Sequence, residues 1–149
     1  MKKGLFRKIP RTRLYFDFSL LLKAISKIFI TEFDDEGKIE EFEKKFASYC
    51  GISHALAVSY ARVGLYYVLK ALNLPPGSEV LMTPITIADM VNVIQLLGLK
   101  PVFLDIEEET FNIDLSELDK KITDNSRVLF VTHLFGITPD MEKIMHSAR

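Results

Sequence analysis

Four residues, Ser59-Tyr60-Ala61-Arg62, carry the clearest chemical potential in the chain. They separate a short apolar run, Ala55-Leu56-Ala57-Val58, from a segment in which Leu65, Val68, Leu69 and Leu72 recur at one-face helical spacing. A strand that feeds a helix through a turn of this kind begins a βαβ unit. The turn would present free backbone N–H groups at a helix N-terminus, where an anion can sit. The same pattern also describes an ordinary strand-to-helix connection with no ligand, so spacing alone leaves both readings open.

The other chemically able residues are scattered. His54, His133 and His146 lack the spacing of metal ligands, so no metal site is expected. His133, at the end of an apolar run, reads as hydrogen-bonded scaffold or as a catalyst. Asp105 with Glu107–Glu109 reads as an acidic site or, more simply, as a solvated turn after a strand. Tyr66 and Tyr67 fall on a helix and suit packing better than nucleic-acid stacking. The sequence has no GxGxxG, no GxxxxGK[ST] and no GxSxG, so dinucleotide, P-loop and nucleophile-elbow chemistry lack direct support.

These residues must be positioned by alternating strands and helices. Pro75-Pro76-Gly77-Ser78 is a turn, and Glu79 to Met82 a short strand. Thr83-Pro84-Ile85-Thr86 is the loop at that strand's C-terminal end. Ala88 to Leu97 is helical, with Met90, Val91, Ile94 and Leu97 on one side and Gly98 ending it. Pro101 to Ile106 is a strand. Leu115 to Ile122 is a helix capped by Asp114. Arg127 to Thr132 is a strand, and its apolar run suits coverage on both faces. Pro139-Asp140 starts a further helix. The alternation implies an α/β fold with a mostly parallel sheet flanked by helices. Ligands of such sheets bind beyond the strands' C-terminal ends, which makes Tyr60–Arg62, Pro84–Ile87 and His133–Gly136 the expected functional edge.

Two domains are expected: a basic amphipathic helical segment over residues 1–36, and the α/β part over 37–149. In the first, Lys2, Lys3, Arg7, Lys8, Arg11, Arg13, Lys23 and Lys27 face one acid, Asp17, through residue 31. Leu14, Phe18, Leu21, Leu22, Ile25, Ile28 and Phe29 repeat at helical spacing. Lys23 and Lys27 interrupt any signal-peptide core. A membrane-surface helix and a helix packed on protein both fit, and packing is favoured. Asp34 or Asp35 can cap the next helix, whose stripe is Ile39, Phe42, Phe46 and Tyr49, and Gly51 stops it.

Composition narrows the class. The chain has 149 residues, enough for one domain with a core, with 48% hydrophobic and 26% charged residues. A net charge of −1 gives no global field for nucleic acid. The single cysteine, Cys50, fits a reducing cytoplasm. No apolar run reaches the roughly 18 residues of a membrane span.

From Glu41-Phe42-Glu43-Lys44-Lys45-Phe46-Ala47 onward, the order of these pieces resembles the DegT/DnrJ/StrS family of sugar aminotransferases. The resemblance rests on His54–Ser59, the Leu65–Leu72 helix, Pro76-Gly77-Ser78-Glu79-Val80, Thr86-Ile87 and Asn92. It continues through Gly98–Asp105, Phe111-Asn112-Ile113-Asp114, Val131–Gly136 and Asp140-Met141. It implies the large domain of the aspartate-aminotransferase-like, fold type I transferases, present in part and incomplete at the C-terminus. It implies pyridoxal 5'-phosphate as cofactor, nucleotide-sugar and amino-acid substrates, and a homodimer when complete.

Carried over by residue, the resemblance makes Ala61, Arg62 and Ile87 the cofactor-binding positions and places no catalytic residue in this chain. Ala61 stands where the family has Gly, and Arg62 where it has Thr. An Arg can pair bidentately with phosphate or point to solvent. Ile87 stands where an aromatic residue stacks on the cofactor ring, and loses a stacking contribution on the order of 1 kcal/mol. The family's Schiff-base lysine and pyridinium-pairing aspartate would lie downstream of Arg149. Lys70, Lys100, Lys120 and Lys121 read as solvated surface. The resemblance therefore implies an inactive N-terminal part of an aminotransferase, or else a non-catalytic remnant or partner module. It also implies that segments 102–106, 80–82 and 128–132 lie side by side in that order, while Ala55–Ser59 lacks its usual strand partner. Exposed apolar edges of this kind invite association.

Overall fold

The computed structural model describes residues 17–29 and 36–148. The basic residues before Asp17, Leu14, and the expected caps Asp34 and Asp35 lie outside the described residues. Two compact units separate between Ala57 and Val58.

In the first unit, α1 spans Phe18–Ile28. Its cap is Asp17, whose Oδ1 accepts from the Ser19 N–H at 3.2 Å and whose Oδ2 accepts from the Ser19 hydroxyl at 2.8 Å. No residue of α1 is buried, so its apolar stripe is exposed within this unit. α2 spans Glu36–Cys50. Gly51, at φ 67°, ends it as expected, and the Ile52 N–H returns to the Ala47 carbonyl at 3.0 Å. Glu43 Oε1 accepts from the Ala57 N–H at 2.8 Å, tying the segment after α2 to that helix.

The second unit is an α/β layer structure. It begins with α3 (Ala61–Ala71), β1 (Glu79–Met82) and α4 (Ala88–Leu96). It continues with β2 (Lys100–Phe103), α5 (Leu115–Lys121), β3 (Ser126–Phe130) and α6 (Met141–Ser147). The sheet is parallel, in the order β2-β1-β3. This is the side-by-side order that the resemblance implied. β1 is central and buried along its whole length.

Alternation along β1 builds two cores, because successive side chains point to opposite faces. Val80 and Met82 join Leu69 of α3, Met90 and Ile94 of α4, and Leu99. Leu81 faces the other way and joins Leu104, Ile113 and Leu118 of α5. α5 packs against α6, where Ile144 is fully buried. Helices thus cover both faces, which is why the strands read as continuous apolar runs.

One expected element is corrected. Ala55–Ser59 forms no strand among the described residues; the sheet has three strands, not four. The run is apolar, but a strand exists only where a neighbour completes its ladder, and no strand pairs with it. Two other strands end earlier than the apolar pattern suggested. After β2, the Leu104 N–H still reaches the Met82 carbonyl at 2.8 Å, but Ile106 forms only an isolated antiparallel bridge with Ile113. β3 stops at Phe130, before Val131 and Thr132.

Candidate functional site

The site is built from two helix starts. Tyr60 caps α3 in extended conformation, at φ −147° and ψ 149°, and its side chain makes no capping hydrogen bond. Its carbonyl accepts from the Val63 and Gly64 N–H groups at 2.9 and 3.1 Å, closing the first turn. The first-turn N–H groups of α3 therefore have no side-chain acceptor from their own cap. Ala61 is the first helical residue and is not among the left-handed positions. Replacing the family's Gly with Ala thus requires no positive φ.

The second start follows β1. Thr83 is buried, and the Thr86 N–H bonds to the Pro84 carbonyl at 3.0 Å. Ile87 then caps α4, again without a side-chain hydrogen bond, and its side chain stays exposed. Asp89 lies in the first turn of α4, where the helix dipole favours a carboxylate.

Arg62 joins the two starts. Its Nη1 lies 3.2 Å from Asp89 Oδ2, and its guanidinium carbon lies 4.2 Å from the centre of the Tyr60 ring. Ala61, Arg62 and Ile87 are thereby brought to neighbouring helix starts at the C-terminal end of β1. Asp89 was not singled out in the sequence. Its signal was an acidic residue in the first turn of a helix starting at the expected functional edge.

The third expected segment stands apart. Leu134–Gly136 forms one short 3₁₀ turn, with Phe135 at φ 53° and 91% exposed. Among the described residues, no hydrogen bond or ion pair joins His133–Gly136 to either helix start. His54 and His146 are exposed and fall in different units, and the described residues contain no cluster of metal-ligating side chains. Asp105 is used locally: its carboxylate accepts from the Ile106 N–H at 2.9 Å, and its carbonyl from the Asp114 N–H at 3.0 Å. Glu107 accepts from the Thr110 hydroxyl. These contacts make the acidic stretch a turn. An open groove of about 270 Å³, lined by Leu81, Leu118, Ile122, Val128 and Leu129, contains none of the candidate site residues.

Of the lysines expected at the surface, Lys70 bonds the Tyr66 hydroxyl, Lys120 pairs with Glu117, and Lys121 donates to the Phe103 carbonyl. Lys100 is exposed as well. It pairs with Glu79, a buried carboxylate at the start of β1.

A family model matches residues 23–149. The chain belongs to the DegT/DnrJ/EryC1/StrS aminotransferase family. Its relatives include the spore coat polysaccharide biosynthesis protein SpsC of Bacillus subtilis, 38% identical over 112 residues, which are 75% of this chain and 29% of that protein. GDP-perosamine synthase of Caulobacter vibrioides is 37% identical over 111 residues, 74% of this chain and 30% of that enzyme. Among solved structures, NtdA from Bacillus subtilis with bound cofactor PMP superposes with a TM-score of 0.76 at 29% identity, covering 86% of this chain and 30% of that one. The chain thus spans about 30% of the length of the curated relatives it matches. For this family member the α/β sheet is that of the pyridoxal-phosphate-dependent sugar aminotransferases, present as a partial domain.

The residues present suit the phosphate end of pyridoxal phosphate. An uncapped helix start supplies N–H donors, and Arg62 supplies a cation on the same turn. Ile87 has an exposed aliphatic side chain. Asp89, paired with Arg62, is an adjacent group that opposes an anion.

Proposed function

We propose that this chain forms the phosphate-holding part of a pyridoxal-phosphate-dependent aminotransferase that moves an amino group from an amino acid such as glutamate to a keto-sugar nucleotide. The observation that carries this reading is the Arg62–Asp89 bridge, which sets the uncapped start of α3 beside the start of α4. The family membership and the sugar-modifying relatives supply the substrate class. When bound, the cofactor supplies an electron sink and carries the amino group between the two substrates.

The chain's own contribution is binding and orientation. The Ala61 and Arg62 N–H groups would donate to phosphate, and the Arg62 guanidinium would add a charge-assisted contact. Ile87 would pack on the ring without the stacking contribution of an aromatic. The lysine that holds the cofactor's aldehyde and the aspartate that keeps its ring nitrogen protonated belong, by resemblance, to parts of the family outside the matched segment. The 149 residues alone therefore do not turn over. In the complete enzyme we place the fold in a cytoplasmic homodimer.

A second reading, a non-catalytic module of the same fold, is favoured by Asp89 sitting on the residue that should meet phosphate. Equilibrium dialysis with pyridoxal phosphate, with pyridoxal as control, separates the two. Binding that needs the phosphate group and is competed by inorganic phosphate supports the cofactor reading. Equal or absent retention of the two compounds overturns it. Release of 2-oxoglutarate from glutamate by the isolated chain would overturn the proposed inactivity.

A further inference from the structure

Arg62 stands at an unusual place for a cation. It is in the first turn of α3, where the helix dipole is positive and favours anions. The structure shows what offsets this: the Asp89 carboxylate, 3.2 Å from Nη1, occupies the guanidinium. Asp89 comes from the first turn of α4, so one carboxylate sits close to two uncapped helix starts. The Tyr60 ring, 4.2 Å from the guanidinium carbon, holds Arg62 beside its own turn independently of that pair.

We propose that Asp89 is an internal competitor for phosphate at this site: its carboxylate and a phosphate monoester exclude one another on Arg62. The inference rests on the cofactor reading above and adds the residue that sets the affinity. Both side chains of the pair are about half-exposed, so the pair is weak enough for an incoming dianion to displace. A dianion placed beside an ionised Asp89 is also repelled, so binding requires Arg62 to turn from carboxylate to phosphate. Asp89 is thus a positioning residue: it acts through Arg62 and need not touch the ligand.

The test uses the full chain, with inorganic phosphate and pyridoxal phosphate as probes followed by calorimetry at low salt. Asp89→Asn is expected to tighten both by about three- to tenfold, the scale of one exposed ion pair plus the removed repulsion. Arg62→Ala is expected to weaken both. In the Arg62→Ala background, the gain from Asp89→Asn falls to half or less. Asp89→Ser gives the same direction, and circular dichroism confirms that each variant folds. Unchanged or weaker binding by Asp89→Asn, or a gain undiminished without Arg62, overturns the competition while leaving the cofactor reading intact. Absence of phosphate-dependent binding in every protein overturns both.

Discussion

Glu79 and Lys100 sit opposite one another in the parallel register of β1 and β2, with Lys100 Nζ 2.9 Å from Glu79 Oε1. The other carboxylate oxygen accepts from the Thr123 hydroxyl at 2.7 Å and the Ser126 hydroxyl at 3.2 Å. Glu79 is 6% exposed and thereby fastens β2, the turn before β3 and the start of β3 to the central strand. It lies at the strand's N-terminal end, away from the candidate site, so its role is structural.

The first prediction follows from its titration. The Thr123 hydroxyl foremost, and then Lys100, hold the Glu79 carboxyl below its ordinary value of 4.5. The folded state therefore favours the ionised form. That stabilisation is fully present above the ordinary value and is lost as pH falls through the lowered folded value. The melting temperature of the chain should fall below about pH 4.5, and Glu79→Gln should lower it at neutral pH while flattening this acid limb. An unchanged acid limb in Glu79→Gln would show that other carboxylates carry it.

The second prediction concerns the two cores. Ile94 has no exposed surface, and Leu118 has 1%. They stand on opposite faces of the sheet. Ile94→Ala and Leu118→Ala should each cost about 2–5 kcal/mol in urea unfolding, the usual range for deleting a buried aliphatic side chain. If only one is costly, the sheet is covered on a single face.

A third prediction contrasts two glycines. Gly98 ends α4 at φ +71°, its N–H bonds the Gln95 carbonyl at 2.9 Å, and its carbonyl accepts from the Gly77 N–H at 2.8 Å. Gly98→Ala should destabilise by roughly 1–2 kcal/mol, because an L-residue is strained there. Gly64 is different. It lies inside α3 with ordinary helical φ, and an added Cβ would meet Val58 Cγ2 at 3.4 Å, an ordinary contact. Gly64→Ala should stabilise by up to about 1 kcal/mol. Chemical denaturation of the two variants checks both signs.

Where the determinants are local, the sequence showed them. Asp114 caps α5 by accepting from the Ser116 N–H at 2.8 Å, Gly51 ends α2, and the Glu79–Met82 strand has the expected bounds. Each depends on residues within a turn or on a short apolar run. The misses are non-local. Ala55–Ser59 has the composition of a strand but lacks a ladder neighbour, and composition cannot supply one. Asp89 carried a first-turn signal in the sequence, but its partner became visible only when packing set α4's first turn against Arg62. Lys100 reads as surface and lies there, its side chain 65% exposed, but its pairing with Glu79 arises only through the register of β1 and β2. Ala61, Arg62 and Ile87 came from resemblance, and the two helix starts gave them a shared location.

The last prediction concerns the unpaired segment and the sheet edges. Leu56 and Val58 are exposed and join no ladder, although the Ala57 N–H is held by Glu43 at 2.8 Å. Amides at Leu56 and Val58 should therefore exchange rapidly with solvent. Those of Val80, Leu81 and Met82, in the central strand and without exposed surface beyond 2%, should exchange only on global unfolding. Among the described residues, β2 and β3 each pair on one side only, with β1. Their outer edges are templates for another strand, and their apolar side chains make that pairing favourable. Sedimentation of the 149-residue chain should accordingly show self-association that grows with concentration. Lysine substitutions at Val128 and Phe130, on the β3 edge, bear on the same core and so are poor probes. Arg127, exposed on that strand, is the better one, and Arg127→Pro removes a backbone donor there. If self-association runs through the β3 edge, this change should reduce it. A monomer at all concentrations, with strong protection at Leu56 and Val58, would mean that the segment finds a strand partner in solution and that the edges are not sticky.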